Sequence, residues 1–456
     1  MTLGSRILKA HPAILVLSSF LLTIAAGAIL LKLPVSITTG HITWQDAIFT
    51  ATSAACVTGL VTVDTGSCFT LFGQIVILLL IQIGGLGVMT FSVALFRWIG
   101  RSVSFRQRMI MQDLFAHTPR EDILALVRTI VLFTLITESA GAVFLAVHWS
   151  REFPFAKAVY MAVFHSVSAF CNAGFALFPN SMVRYSDKLL LNVTLSTLIV
   201  LGGIGFPVLY DLQSWFLKRR TKRIRLSVQT RTVLITTVVL IISGALMFAF
   251  LERQAPDRPK SLSYRILTPV FQSITCRTAG FNTVDIASLK NATLAMMTFL
   301  MFVGASPGSC GGGVKTTTIA LLTVFTLSRV RRGRRVNMFK KSIPTETITR
   351  SVSLILVSLG VICLIFFLIL VGDSASGHEL ITQQRTFLAY LFETVSAFGT
   401  VGLSMGITPE LTAWAKGLIV LMMIIGRVGV LTFAYIIVGA GTTSGVEYSE
   451  ENLMIG

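Results

Sequence analysis

The chain has 456 residues, of which 54% are hydrophobic and 13% charged, with a mean hydropathy of +0.79. Soluble domains carry about twice that charged fraction, so the composition excludes an ordinary soluble fold and points to an integral membrane protein. The net charge of +18 invites a nucleic-acid partner, but its placement along the chain, given below, excludes that use.

In chain order, apolar runs lie near 12–34, 70–96, 123–148, 189–210, 232–251, 291–303, 351–371 and 417–438. A helix needs about 20 apolar residues to cross the hydrocarbon core. Most runs reach that length, and 291–303 needs the segment that follows it. The first run comes after Arg6 and Lys9, yet its apolar core from Ala13 to Leu31 is longer than the roughly 7–15 residues of a signal peptide. It is read as a retained helix.

Between the runs, one short pattern returns four times: CVTGL at 56–60, CNAGF at 171–175, RTAGF at 277–281 and GTVGL at 399–403. Its glycines, Gly59, Gly174, Gly280 and Gly402, are separated by 115, 106 and 122 residues. Phe49, Phe164, Phe271 and Phe392 precede them at matching distances, each followed by a polar residue: Thr50, His165, Gln272 and Glu393. These segments are too short to span, so each is expected to be a re-entrant half-helix that stops at its glycine turn. The polar residues either bond the backbone behind the turn or pack between helices. Downstream come IGGLG at 83–87, LGGIG at 201–205 and IGRVG at 425–429, while the third unit carries VGASPGSCGGGVKTTT at 303–318.

The expected fold is therefore all-α: four parallel helix, half-helix, helix repeats with eight spans and four re-entrant loops around a pseudo-fourfold pore. The repeats run 1–98, 99–217, 218–330 and 331–456, the third with an intramembrane loop and the fourth with a C-terminal tail. No separate soluble domain is left over.

Basic residues cluster at 97–120, 218–231 and 329–350, which with Arg6 and Lys9 hold more than half of the 38 in the chain. The positive-inside rule places these loops and both termini in the cytoplasm, and the expected location is the cell's inner (plasma) membrane. Topology and lipid headgroups account for the charge. The six cysteines form no CxxC pair and read as small, reduced, buried residues. The six histidines are scattered singly, and no acid, base or metal cluster suggests an enzyme.

A desolvated cation is held best by backbone carbonyls, which replace its water without trapping it by full charge. Candidate carbonyls come from Val57, Thr58 and Gly59; Asn172, Ala173 and Gly174; Thr278, Ala279 and Gly280; and Thr400, Val401 and Gly402. In the third unit Gly304, Ala305, Ser306, Pro307, Gly308, Ser309, Gly311, Gly312 and Gly313 cannot continue a helix. Broken backbone at membrane depth survives only in protein or beside water, so this loop is a gate candidate. Its GSCGGGVK is not a nucleotide loop, because Val314 and not glycine precedes Lys315. Arg427 lies about eleven residues into its span, too deep to reach water, and should find carbonyls of that loop or a carboxylate. Glu138 is given no role.

These motifs together resemble the Trk/Ktr/HKT superfamily of potassium transport proteins over essentially the whole chain. The four glycine sequences look like its filter, 303–318 like its intramembrane gating loop and IGRVG like its arginine-bearing last helix. The length and the ending EENLMIG resemble the membrane subunit of bacterial Ktr systems. The resemblance implies potassium uptake through a carbonyl filter, a homodimer with one pore per protomer, and a cytoplasmic ring of nucleotide-binding regulatory subunits. Gly59 resembles the potassium-selective branch. No cofactor bound by this chain is implied, and sodium dependence stays open. The rival reading is an alternating-access symporter driven by sodium or protons.

Overall fold

The computed structural model describes residues 12–38, 41–87, 123–218, 225–253, 261–333, 335–375, 386–430 and 433. It is helical apart from short 3-10 turns, isolated bridges and one β-hairpin, in which Asn337–Met338 pairs antiparallel with Lys341–Ser342. The basic stretch 97–120, residues 219–224 and the ending 434–456 lie outside the described residues.

The first helices are α1 (Pro12–Lys32), α2 (Trp44–Ala55) and α3 (Leu71–Leu86), followed by α4 (Ile123–Trp149), α5 (Phe155–Phe170) and α6 (Leu189–Ile204). Then come α7 (Phe206–Lys218), α8 (Val228–Leu251), α9 (Leu262–Thr275) and α10 (Asn291–Phe302). The last are α11 (Thr316–Val330), α12 (Thr345–Ala375), α13 (Thr386–Gly399) and α14 (Ala413–Val428). Local chemistry sets several starts. Thr43 and Asp46 close a reciprocal capping box on α2, and the hydroxyls of Thr70, Ser227, Ser261 and Thr412 accept from the first turns of α3, α8, α9 and α14.

The short helices α2, α5, α9 and α13 end at the four recurring glycine turns. Each packs against the long helix before it: α1 on α2, α4 on α5, α8 on α9 and α12 on α13. The helix after each turn also reaches the next short helix, α3 to α5, α6 to α9 and α10 to α13, and α14 returns to α2. The contacts thus close into a cycle. Burying apolar side chains against lipid-like surroundings contributes little, so close backbone approach must hold such a cycle together. Gly84, Gly202 and Gly426 supply it: a Cβ on any of them would overlap the carbonyl of Ala55, Phe170 or Phe398 respectively, at the end of its own half-helix.

Three described helices are long and apolar enough to cross a membrane by themselves: 127–149, 228–251 and 345–374. The run at 189–210 is not one straight helix. It breaks at Gly205, whose φ is +99°, and α7 leaves α6 at 97°. The same break ends α3 at Gly87 (φ +80°) and α14 at Gly429 (φ +97°), so the expected runs 70–96 and 417–438 stop being straight helix there. A left-handed residue cannot carry the i to i−4 ladder onward, and glycine adopts it without steric cost.

Candidate functional site: a ring of glycine turns over a buried loop

At the centre of the cycle the four turns meet. A Cβ added to Gly59 would overlap the Ala173 carbonyl, one on Gly174 would lie 2.9 Å from the Ala279 oxygen, and one on Gly280 2.5 Å from the Val401 oxygen. One on Gly402 would overlap the Thr58 carbonyl, which closes the ring. Each glycine therefore faces the carbonyl of the residue just before the next glycine. All four have φ between +70° and +93°. Two residues earlier, Val57, Asn172, Thr278 and Thr400 also have positive φ, between +49° and +74°. For β-branched side chains this is a strained conformation that costs on the order of 1–3 kcal/mol each and persists only where surroundings enforce it.

The enforcement comes from hydroxyls that the sequence reading passed over. The amide of the residue before each glycine is bonded back to the half-helix: Thr58 N–H to Ser53 O at 2.7 Å, Ala173 to Ser168 at 2.7 Å, Ala279 to Thr275 at 3.0 Å and Val401 to Ser396 at 2.8 Å. The side chains of the same four residues finish the tie. Ser53 and Ser396 accept from the N–H of Gly59 and Gly402, at 3.0 and 3.1 Å, while Ser168 and Thr275 donate to the carbonyls of Phe175 and Phe281, at 2.8 and 2.6 Å. The available signal was a hydroxyl six residues before each glycine, or five in the shortened third unit.

The polar residues after the phenylalanines take the outer side of the turns. His165 Nε2 accepts from Leu177 N–H at 3.2 Å, Gln272 donates to Thr283 Oγ1 at 3.1 Å, and Glu393 accepts from Thr408. His165 thus bonds the backbone behind the turn, one of the two alternatives expected, whereas Gln272 and Glu393 bond side-chain hydroxyls there. The Thr50 hydroxyl has no side-chain bond of this kind.

Above the ring lies a cavity of about 570 Å³, lined by the four glycines and by Asp64 and Asp285 but by no basic side chain. In a chain of net charge +18, that leaves this mouth attractive to cations and not to anions. The C-terminal ends of four half-helices point their partial negative charge at the ring as well.

Below the ring, the segment between α10 and α11 is non-helical and largely buried. It is held from every side. Ala305 N–H and Gly312 O bond within the loop at 3.3 Å, beside a parallel bridge of Val303 with Val314. Ser306 and Cys310 donate to the carbonyls of Gly203 and Gly202, at 3.1 and 3.2 Å, and Phe206 N–H donates to Gly308 O at 2.9 Å. Lys315 Nζ turns back to Gly311 O at 2.8 Å, and the hydroxyls of Thr316 and Ser306 bond at 3.1 Å.

Two glycines of this loop lie against the turns themselves. A Cβ on Gly311 would overlap Thr278 Oγ1, and Gly312 lies against Thr400. Asn172 joins them: with its nitrogen donating to Ala169 O and Ile199 O at 3.1 Å, its oxygen accepts from Thr278 Oγ1 at 3.2 Å. Arg427 is not in mid-span but in the last turn of α14, one residue before the helix breaks. Its two terminal nitrogens donate to Cys310 O in the loop and to Gly84 O at the end of α3. The carbonyl partner in the loop was expected; the one in the first unit was not. Glu138, buried on α4, accepts from Gln82 at 3.3 Å and lies 3.8 Å from the Cys171 sulfur. Of the cysteines, Cys56, Cys171, Cys276 and Cys310 are buried, whereas Cys68 is half-buried and Cys363 exposed, so the expectation of six buried thiols is corrected for those two.

The fold and the ring define a helical membrane protein in which four glycine turns meet beside a cavity. The chain belongs to the TrkH family of cation transport proteins, whose pattern it matches over residues 9–439. It is 39% identical over 444 residues to the Ktr system potassium uptake protein B of Vibrio alginolyticus, covering 97% of this chain and 94% of the relative. The Bacillus subtilis protein of the same name is 38% identical over 418 residues, covering 91% and 90%. The potassium/sodium uptake protein NtpJ of Enterococcus hirae is 35% identical over 452 residues, with 98% of both chains covered. The crystal structure of the potassium transporter TrkH from Vibrio parahaemolyticus superposes with a TM-score of 0.69 at 18% identity, over 94% of this chain and 85% of that one, which supports the fold.

Proposed function

We propose that this chain is the pore-forming membrane subunit of a potassium uptake system, built as four parallel repeats with eight spans and four re-entrant half-helices. The repeats are 1–98, 99–217, 218–330 and 331–456. The observation that carries the reading is the closed ring in which each of four glycines faces the carbonyl before the next glycine. Carbonyls of Val57 to Gly59, Asn172 to Gly174, Thr278 to Gly280 and Thr400 to Gly402 replace the hydration shell of potassium as it passes. Potassium is the cargo, and its own charge is met by dipoles and not by a carboxylate, so it is bound weakly enough to leave.

The loop from Gly304 to Gly313 acts as the gate, and Arg427 holds it closed. Its position directly beneath Thr278 and Thr400 and its many backbone ties support this role. The relatives' designation as Ktr system proteins supports membership in a system of several components; in this reading the chain is a membrane homodimer docked on a cytoplasmic ring of nucleotide-binding subunits, with both termini on that side. The test is rubidium uptake into vesicles holding the purified chain, with potassium, sodium or lithium as competitor. Uptake that potassium suppresses and sodium does not supports the reading; uptake indifferent to the competitor sinks it.

A further inference from the structure

Between α11 and α12 the chain doubles back in the β-hairpin, and its tip has an unusual sequence. The register sets Asn337 opposite Ser342 and Met338 opposite Lys341, which leaves a two-residue turn of Phe339 and Lys340 with φ of +50° and +65°. So tight a turn demands two left-handed residues in a row, and Asn-Gly meets that demand with little strain. A bulky aromatic and a long cation meet it badly, because a Cβ crowds the backbone there. Strain of this kind persists where the side chains serve a function. Both of these lie at the surface, with Phe339 39% exposed.

The hairpin does not project away from the helices. Val336 is buried against Leu321 of α11 and Ile348 of α12, with Phe325, Met338 and Ile343 packed around them. Leu321 lies nine residues before the end of α11, so the hairpin reaches back along that helix by roughly 14 Å at the helical rise. Ile348 lies two residues, or about 3 Å, before Arg350, the last charge ahead of the apolar run 351–371. That puts the hairpin at the depth of the lipid headgroups. From Arg329 to Lys341 the chain carries seven basic residues and no acidic one. An apolar ring beside cations at that depth is the composition of an interfacial anchor. We propose that Phe339, Lys340 and Lys341 dock on an anionic lipid surface, the ring among the upper acyl chains and the ammonium groups on headgroup phosphates. A soluble partner fits less well, since the fold-back tucks the tip toward the bilayer. The inference rests on the membrane class of the chain and not on the pore reading.

The experiment reads the tip directly, with the full-length chain in vesicles of phosphatidylcholine alone or mixed with phosphatidylglycerol. Cys68→Ser and Cys363→Ser remove the two cysteines that are not buried, and Ser342→Cys, exposed beside the tip, carries an environment-sensitive fluorophore. Quenching by lipid spin-labelled just below the headgroup reports the contact. It should be strong with phosphatidylglycerol, weaker without it, and relieved by high salt. Replacing both lysines by glutamine should lower the docked-to-free ratio on the order of 30-fold, at about fivefold for each cation near an anionic surface. Phe339→Asn with Lys340→Gly is the decisive variant. It supplies the residues this turn prefers, so thermal unfolding in detergent should move up while quenching falls toward the level in phosphatidylcholine. Unchanged quenching in that variant, or equal quenching in the two lipids, overturns the anchor. A label shielded from a water-soluble quencher but untouched by the lipid-borne one means a protein contact instead, and overturns it too.

Discussion

The backbone N–H of Gly312 donates to the Thr400 hydroxyl at 2.9 Å, within the protein interior. Thr400 belongs to the fourth glycine turn and Gly312 to the loop beneath the ring, so one bond joins the proposed filter to the proposed gate. Thr400→Val keeps the shape and removes the acceptor, leaving a buried N–H unsatisfied at a cost of about 1–3 kcal/mol. That is roughly 5–150-fold in the balance between loop positions. Basal rubidium uptake should rise in Thr400→Val and stay near wild type in Thr400→Ser; equal uptake in all three would remove this bond from gating.

Arg427 bridges two carbonyls from different parts of the chain, Cys310 O and Gly84 O, with its two terminal nitrogens. Arg427→Ala should raise basal uptake without changing selectivity. Lysine keeps the charge but is a single-point donor, not a planar fork, so Arg427→Lys should behave more like the alanine variant. Full restoration by lysine, seen in the same vesicle assay, would mean that charge alone matters there.

Gly59 has φ +93° and no room for a Cβ beside the Ala173 carbonyl. Gly59→Ser must push that carbonyl or unwind the turn, so discrimination between potassium and sodium should relax while expression survives. Competition of sodium against rubidium uptake measures it. Unaltered competition removes Gly59 from the selective part of the path.

The hydroxyl ties carry a prediction of their own. Ser168→Ala deletes the bond to Phe175 O and leaves the positive φ of +60° at Asn172 less supported. A net loss near 1 kcal/mol is expected from one such bond, together with weaker selectivity. Thr275→Ser retains the hydroxyl that donates to Phe281 O and should be silent. Thermal unfolding in detergent and the sodium competition assay read the two effects, and a Ser168→Ala variant unchanged in both contradicts the tie.

Arg331, Arg332 and Arg335 are exposed where α11 ends and the hairpin begins, and α11 runs from there back to the loop. Neutralising all three should weaken docking of the proposed regulatory ring and uncouple uptake from the nucleotide that ring would bind. The comparison belongs in vesicles without anionic lipid, where headgroup binding cannot stand in for the protein contact. Undiminished ring binding and nucleotide response would take this segment out of the relay.

The sequence by itself determined the membrane class, the four glycine turns and the break after Phe302. Each is a local signal: apolar length, a residue type that tolerates positive φ, or a stretch that cannot be helical. It also held the serine and threonine spacing that clamps the turns, though a hydroxyl in an apolar helix has many other uses. Only the tertiary structure decided the cyclic order of the units, the 97° bend at Gly205 and the second partner of Arg427, Gly84 O, 343 residues away along the chain. Contacts of that separation leave no periodicity or spacing in the sequence, because what selects them is which backbone carbonyls the packed helices leave unpaired.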